Sequence, residues 1–370
     1  MPKKRIGELD LLRFVFMMVV LLYHFETGTF PLGIGTEFFF TLAGLLMARH
    51  AEKWNRSVEG GGKDLSLVAD ETWSFLRGKF KGIYKYYLFA FAFNVIVRSI
   101  VVNHASAASV AMRLLKSLPT ISLSFMAFTE KSTSYYIYAT WFLSAMLIAM
   151  FVLYPILLRN YRFGVKVVFP ILTLFLLGYE YASKERINLI SDWMGFTYFG
   201  ILRAGSEIAL GGTLYYISTE ITGNEKFRKR AARPLNRTLL TLCKVICFGV
   251  PLLFAHKTGF GLKFSHNFSL HALLFVALGI LLSYSGLGWS IPDCKLTRYL
   301  GRISVPIYVF HKLLRMTWLE IMGVEAVSKG YNWIMVIVCM VLSIILMYIV
   351  DFISRGFQKL RTARNETLSA

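Results

Sequence analysis

Arg13 and His24 stand on one apolar segment, Leu9 to Phe25, with ten residues between them. Eleven helical steps of about 100° return to within about 20° of the start, so both side chains share a face. At about 1.5 Å per residue they are separated by roughly 16 Å, about half the thickness of a bilayer core. The pair offers an anion-binding cation at one depth and, because imidazole titrates near neutrality, a proton acceptor at the other. Ionisable groups within a spanning helix are expensive, and two on one stripe point to a lined cavity. Further costly groups follow: Glu37 beside three phenylalanines, Arg203 and Glu207 four residues apart, and His311 and Arg315 four residues apart. Each alone reads most plainly as a structural polar clamp; together they describe a polar interior. Arg77, Lys79, Lys81 and Lys85 form a basic cluster that suits lipid headgroups or the phosphates of an anionic ligand.

Helices must carry these groups. The chain is 56% hydrophobic and only 17% charged, and its apolar residues gather in blocks of about 20, the length that crosses a hydrocarbon core. The short alternating segments of a membrane barrel are missing. The expected fold is an all-α, polytopic transmembrane bundle with about ten spans: 9–25, 33–48, 83–102, 139–158, 167–181, 197–217, 238–255, 268–284, 303–318 and 332–351. One integral domain over 1–355 and a basic cytoplasmic tail over 356–370 account for the chain, and no internal repeat is visible. The net charge of +20 would suit nucleic acid, but its distribution has another cause. With the amino terminus in the cytoplasm, about 26 of the 41 Lys and Arg fall in cytoplasmic pieces and about 8 in outer loops. That asymmetry orients a membrane protein with both termini cytoplasmic and needs no nucleic acid.

Lys3-Lys4-Arg5 before an apolar run resembles a secretory leader, yet no small-x-small site follows and Arg13 interrupts the run, so a retained first helix is expected. Cys243 and Cys247 share a helical face, but no His or carboxylate joins them at ligand spacing; packing residues are the simpler reading, and no metal is expected. Gly60-Gly61-Gly62 lacks the Lys-Ser/Thr ending of a phosphate loop and reads as a linker. Tyr135, Tyr136, Tyr138 and Trp141 fit interfacial anchors, or a platform on which sugar rings stack.

Arg13-x10-His24, Gly35-Thr36-Glu37-Phe38-Phe39-Phe40-Thr41-Leu42-Ala43-Gly44, Trp141-Phe142-Leu143-Ser144 with Pro155, Arg203 with Gly211, and Ser304 through Tyr308 to His311 occur in this order. In that order they resemble the acyltransferase family 3 membrane proteins of bacteria, which O-acylate surface polysaccharides and other extracytoplasmic acceptors. The resemblance implies ten spans, a place in the bacterial cytoplasmic membrane, and transfer of an acyl group, acetyl in the simplest case, from acyl-CoA to a saccharide hydroxyl. It implies acyl-CoA as co-substrate and no permanently bound cofactor. Three positions depart from the family pattern: Ala43 replaces a usual Ser, Met146 a frequent Glu, and Lys79-Phe80-Lys81-Gly82-Ile83 lacks the second Arg and the Pro of the usual motif. The fused extracytoplasmic esterase-like domain that some relatives carry is not expected here.

Acyl transfer from a thioester to a hydroxyl needs a base, charge stabilisation at the carbonyl oxygen, and positioning. His24, toward the outer end of the first span, is the expected base. Arg13, toward the cytoplasm, is expected to hold the donor together with the basic cluster, while Glu37, Arg203, Glu207, His311 and Arg315 support a polar interior. Direct transfer and a covalent intermediate on His24 or a tyrosine both remain open. The alternative is a secondary transporter or lipid-linked glycan flippase, for which pseudo-symmetry and interrupted half-helices would be expected.

Overall fold

The structure is a computed structural model describing residues 5–25, 34–58, 64–96, 104–118, 122–123, 141–187, 189–255, 268–322 and 329–369. The aromatic group at 135–138, the glycine run at 60–62 and the loop 256–267 lie outside the described residues. Among those described there is no strand; the one β-type contact is an isolated bridge between Trp193 and Tyr198. Long helices follow in order: α1 Gly7–His24, α2 Gly35–Ser57, α3 Leu65–Ile96 and, after the short α4 Ala107–Lys116, α5 Trp141–Arg159. Then come α6 Tyr161–Lys184, with a π turn at Gly164–Val168, and α7 Phe199–Gly223. The short α8 Glu225–Ala231 leads to α9 Pro234–Ala255, α10 Phe268–Tyr284, α11 Lys295–Met322 and α12 Lys329–Ser369.

Trp141–Arg159, Tyr161–Lys184, Pro234–Leu253 and Asn332–Gly356 are long and apolar enough to cross a membrane. The remaining long helices carry more polar and charged groups, several of them buried: Glu37, Arg203, Glu207 and His311, joined by Glu180 of α6. Apolar side chains cover the outside. On α12, Ile334, Ile337, Val341, Ile345, Ile349 and Phe352 are exposed at spacings of three and four residues. Such a stripe in water would be an aggregation hazard, whereas against lipid tails it is the expected surface. Polar groups inside and a greasy exterior mark a membrane protein.

α2 and α7 run parallel through the centre and pack with backbone nearly touching backbone. A Cβ added to Gly44 would overlap the carbonyl oxygen of Ile208, and one added to Gly211 would overlap that of Thr41. Small residues allow this approach where no hydrophobic driving force separates protein from lipid. Gly211→Val should therefore force the pair apart, costing about 1–3 kcal/mol. Differential scanning of the protein in detergent should show a lowered midpoint; an unchanged midpoint would mean the interface yields freely.

α1 is fixed at its start. Glu8 and Asp10 occupy its positively polarised first turn. Lys244 of α9 donates to both oxygens of Glu8 (2.9 and 3.0 Å), and Ser283 of α10 adds a third bond (2.8 Å). Gly7 lies against the Pro292 carbonyl, in a turn where Arg298 grips Asp293 at 2.7 and 2.8 Å. That grip holds the Asp293 carboxyl below the usual range. Three helices and a loop thus set the depth at which α1 presents Arg13 and His24.

Candidate active site

Arg13 donates to Asp10 Oδ1 at 2.9 Å, one turn back on α1. Asp10 is buried and fits only because Gly301 of α11 has no side chain: an added Cβ would stand 2.8 Å from Asp10 Oδ1. Arg13 reaches a cavity of about 290 Å³ between α1, α2, α3, α5 and α11. Arg13 and Lys79 supply its cations; Phe39, Leu42, Ala43, Met146, Met150 and Val305 are among its apolar walls. Its end nearer His24 is bounded by Phe142 and Tyr308, whose rings stand 5.8 Å apart. Ala43 and Met146, two of the three departures from the family pattern, both line this cavity, which leaves it predominantly apolar.

His24 is the last residue of α1 and is half-buried. Its ring centroid lies 4.9 Å from that of His311, which projects from α11 one turn beyond Tyr308 and is fully buried. Lys312 and Arg315 lie close enough to act on His24 electrostatically. His311 Nδ1 is 2.6 Å from the Tyr308 carbonyl oxygen. A carbonyl only accepts, so Nδ1 carries the proton and Nε2 holds the lone pair. Both ends of the Arg13–His24 stripe therefore face α11.

At the opposite end of the cavity lies a wider pocket of about 730 Å³, which shares Leu46 and Lys79 with the cavity in its lining. Arg49, His50, Lys53 and Trp54 of α2 face Glu71, Phe75 and Lys79 of α3 across it. His50 Nδ1 and the Tyr154 hydroxyl are 2.6 Å apart, and that hydroxyl donates to Glu71 Oε1 at 3.2 Å, bracing the wall. Cations beside two aromatic rings suit a phosphorylated aromatic ligand. This pocket was hidden in the sequence because residues 49–82 read as a connection. α2 in fact continues to Ser57 and α3 begins at Leu65. The available signal was Arg49, His50, Lys53 and Trp54 recurring at helical spacing.

The expected basic cluster is divided by the structure. Lys79 lines both cavities, while Arg77 and Lys81 are exposed and line neither. Lys85 points away to α12, where Asp351 accepts from Lys85 (2.5 Å), Tyr86 (2.9 Å) and Arg302 (2.5 Å).

The other polar residues gather between α2, α6 and α7. Arg203 donates from Nε to Glu207 at 2.9 Å and from Nη2 to Glu37 at 2.6 Å, with its guanidinium 5.8 Å from the Trp141 ring centre. Glu180 of α6 accepts from Ser206 at 3.1 Å and completes the cluster. Sequence reading missed Glu180, which sits at the edge of the expected span 167–181. Trp141, Phe142 and Tyr308 form a chain of ring contacts from this cluster to the histidine pair.

A family model for an acyltransferase domain matches residues 6–352, nearly the whole chain. No curated protein and no solved structure matches it.

Proposed function

The chain belongs to this acyltransferase family, and on that premise we propose that it moves an acyl group from cytoplasmic acyl-CoA to a hydroxyl of an extracytoplasmic or lipid-linked saccharide. Acetyl is the simplest group. The observation that carries the reading is the succession of a cationic pocket, an apolar cavity that shares Leu46 and Lys79 with it, and a histidine pair one helical turn beyond the Tyr308 that bounds the cavity. A coenzyme A thioester has the matching sequence of parts: a phosphorylated nucleotide, a slender pantetheine arm, and the reactive carbonyl at its tip. Arg49, Lys53 and Lys79 would hold the phosphates, Trp54 and Phe75 would flank the adenine, and the arm would fill the cavity past Arg13. His24, half-buried at the outer end, would take the proton of the incoming hydroxyl. Lys312 and Arg315 supply positive charge where the carbonyl oxygen becomes anionic.

The matching topology has ten spans, both termini and the wide pocket in the cytoplasm, and the histidine end outside, in the bacterial cytoplasmic membrane. Single cysteines placed at 226 and 110 test it. An impermeant maleimide applied to intact cells should label position 110 and spare 226; the reverse pattern would invert the topology and put the pocket on the wrong side for acyl-CoA.

The pocket itself predicts a charge-dependent donor affinity. Arg49→Ala with Lys53→Ala should raise the KM for acetyl-CoA about tenfold or more at low salt, with a smaller effect at high salt, and leave kcat near wild type. Lys81→Ala, outside the pocket, should do neither. Equal effects at both positions would reduce these cations to headgroup anchors.

A further inference from the structure

We propose that His311 carries the acyl group covalently between donor and acceptor, as an Nε2-acyl-imidazole; this rests on the acyltransferase reading above. Among the described residues His311 Nε2 has no hydrogen-bond partner, although the side chain is fully buried. Buried acceptors in folded proteins are almost always satisfied, and one left open at a candidate site calls for a substrate. The Nδ1–H bond to the Tyr308 carbonyl fixes which nitrogen bears the lone pair. A neutral ring whose far nitrogen is held by a carbonyl, and whose near nitrogen is bare, is already in the form a nucleophile requires.

Position separates the two histidines. His311 is sealed from solvent and stands one helical turn beyond Tyr308, the residue that bounds the donor cavity. His24 is half-buried at the end of α1. The thioester tip therefore approaches His311, and the acceptor hydroxyl approaches His24. Donor and acceptor come from opposite sides, so a carrier lets each half-reaction proceed without the other substrate in place. Burial also protects the acyl-imidazole from water.

The chemistry balances in two steps. The Nε2 lone pair attacks the thioester carbonyl, the N–C bond forms, the C–S bond breaks, and the coenzyme A thiolate leaves with the electron pair. The acylated ring keeps its Nδ1 proton and is cationic, a charge the Tyr308 carbonyl accommodates. The acceptor hydroxyl then attacks the same carbonyl carbon, its proton passes to His24, and the C–N bond breaks to restore the Nε2 lone pair. His24 then releases its proton to solvent on the acceptor side and the thiolate takes up one on the donor side, so that the overall reaction balances.

A donor-only exchange tests this. Purified protein in lipid vesicles is given acetyl-CoA and isotopically labelled coenzyme A, with no acceptor. Wild type should move label into acetyl-CoA. Lys81→Ala, outside both cavities, should exchange within about threefold of wild type, His24→Gln should fail to acylate acceptor, and His311→Gln should lose exchange by at least 100-fold. Acetyl on His311 in a peptide digest of donor-treated wild type would support the carrier even if His311→Gln does not fold. Exchange retained by His311→Gln, acetyl on another residue, or acceptor acylation by wild type without any exchange would overturn it and leave the acyltransferase reading standing. Wild type that neither exchanges nor acylates with acetyl-CoA would overturn the carrier and that reading together.

Discussion

Arg203→Met is expected to abolish folded protein or lower its stability by about 3–5 kcal/mol, because removing one side of a buried ion pair strands the other. Arg203 is bonded to both Glu37 and Glu207, and all three side chains are buried. Glu180 adds a third carboxyl nearby through Ser206. Without the guanidinium these groups face one another in a bundle that water does not reach. Arg203→Lys keeps the charge but loses the planar fork that serves Nε and Nη2 together, so an intermediate loss is expected. Glu207→Ala should be milder than Arg203→Met, since Glu37 still holds the cation. Size-exclusion yield and thermal midpoint in detergent measure the series. An Arg203→Met protein with wild-type yield and midpoint would show that the cluster is not a structural clamp.

The second large effect falls on chemistry rather than folding. His24→Gln preserves size and hydrogen bonding but cannot accept a proton near neutrality, so turnover should fall about 10²–10⁴-fold. Yield should stay near wild type, because His24 ends α1 and is half-buried, with no part in the Arg203 cluster. Arg13→Lys should act differently, raising the KM for donor more than it lowers kcat, because the planar guanidinium that bonds Asp10 is lost while the charge remains. Exchanging positions, as Tyr23→His with His24→Tyr, turns the imidazole about 100° around α1 and should not restore activity.

Local features of this molecule were legible in the sequence, and features that depend on register between distant helices were not. Hydropathy located the apolar blocks because burial in lipid demands about 20 apolar residues. It ended α2 at 48, since charged and polar residues interrupt the apolar run beyond that point; that extension to Ser57 carries the cationic pocket. The Arg203–Glu207 pairing followed from i,i+4 spacing, and the structure gives it at 2.9 Å. Glu37 joins the pair only because α2 and α7 lie parallel in close contact, which no spacing within one helix reveals. In the same way, the helical period put Arg13 and His24 on one face. That this face meets α11, with Asp10 (the partner of Arg13) against Gly301 and His24 beside His311, emerges only from the packing of α1 on α11.

The central claim is that a donor from the cytoplasm meets an outer hydroxyl at the histidine end of the cavity, with His24 as the base. Purified wild-type and His24→Gln proteins in lipid vesicles, supplied with acetyl-CoA and surface glycan, test it most directly by the rate of ester formation on the glycan. The account predicts ester formation by wild type and a drop of about 10²–10⁴-fold in His24→Gln, with acetyl-CoA binding retained. Near wild-type turnover in His24→Gln would contradict it and return His24 to a satisfied intramembrane histidine.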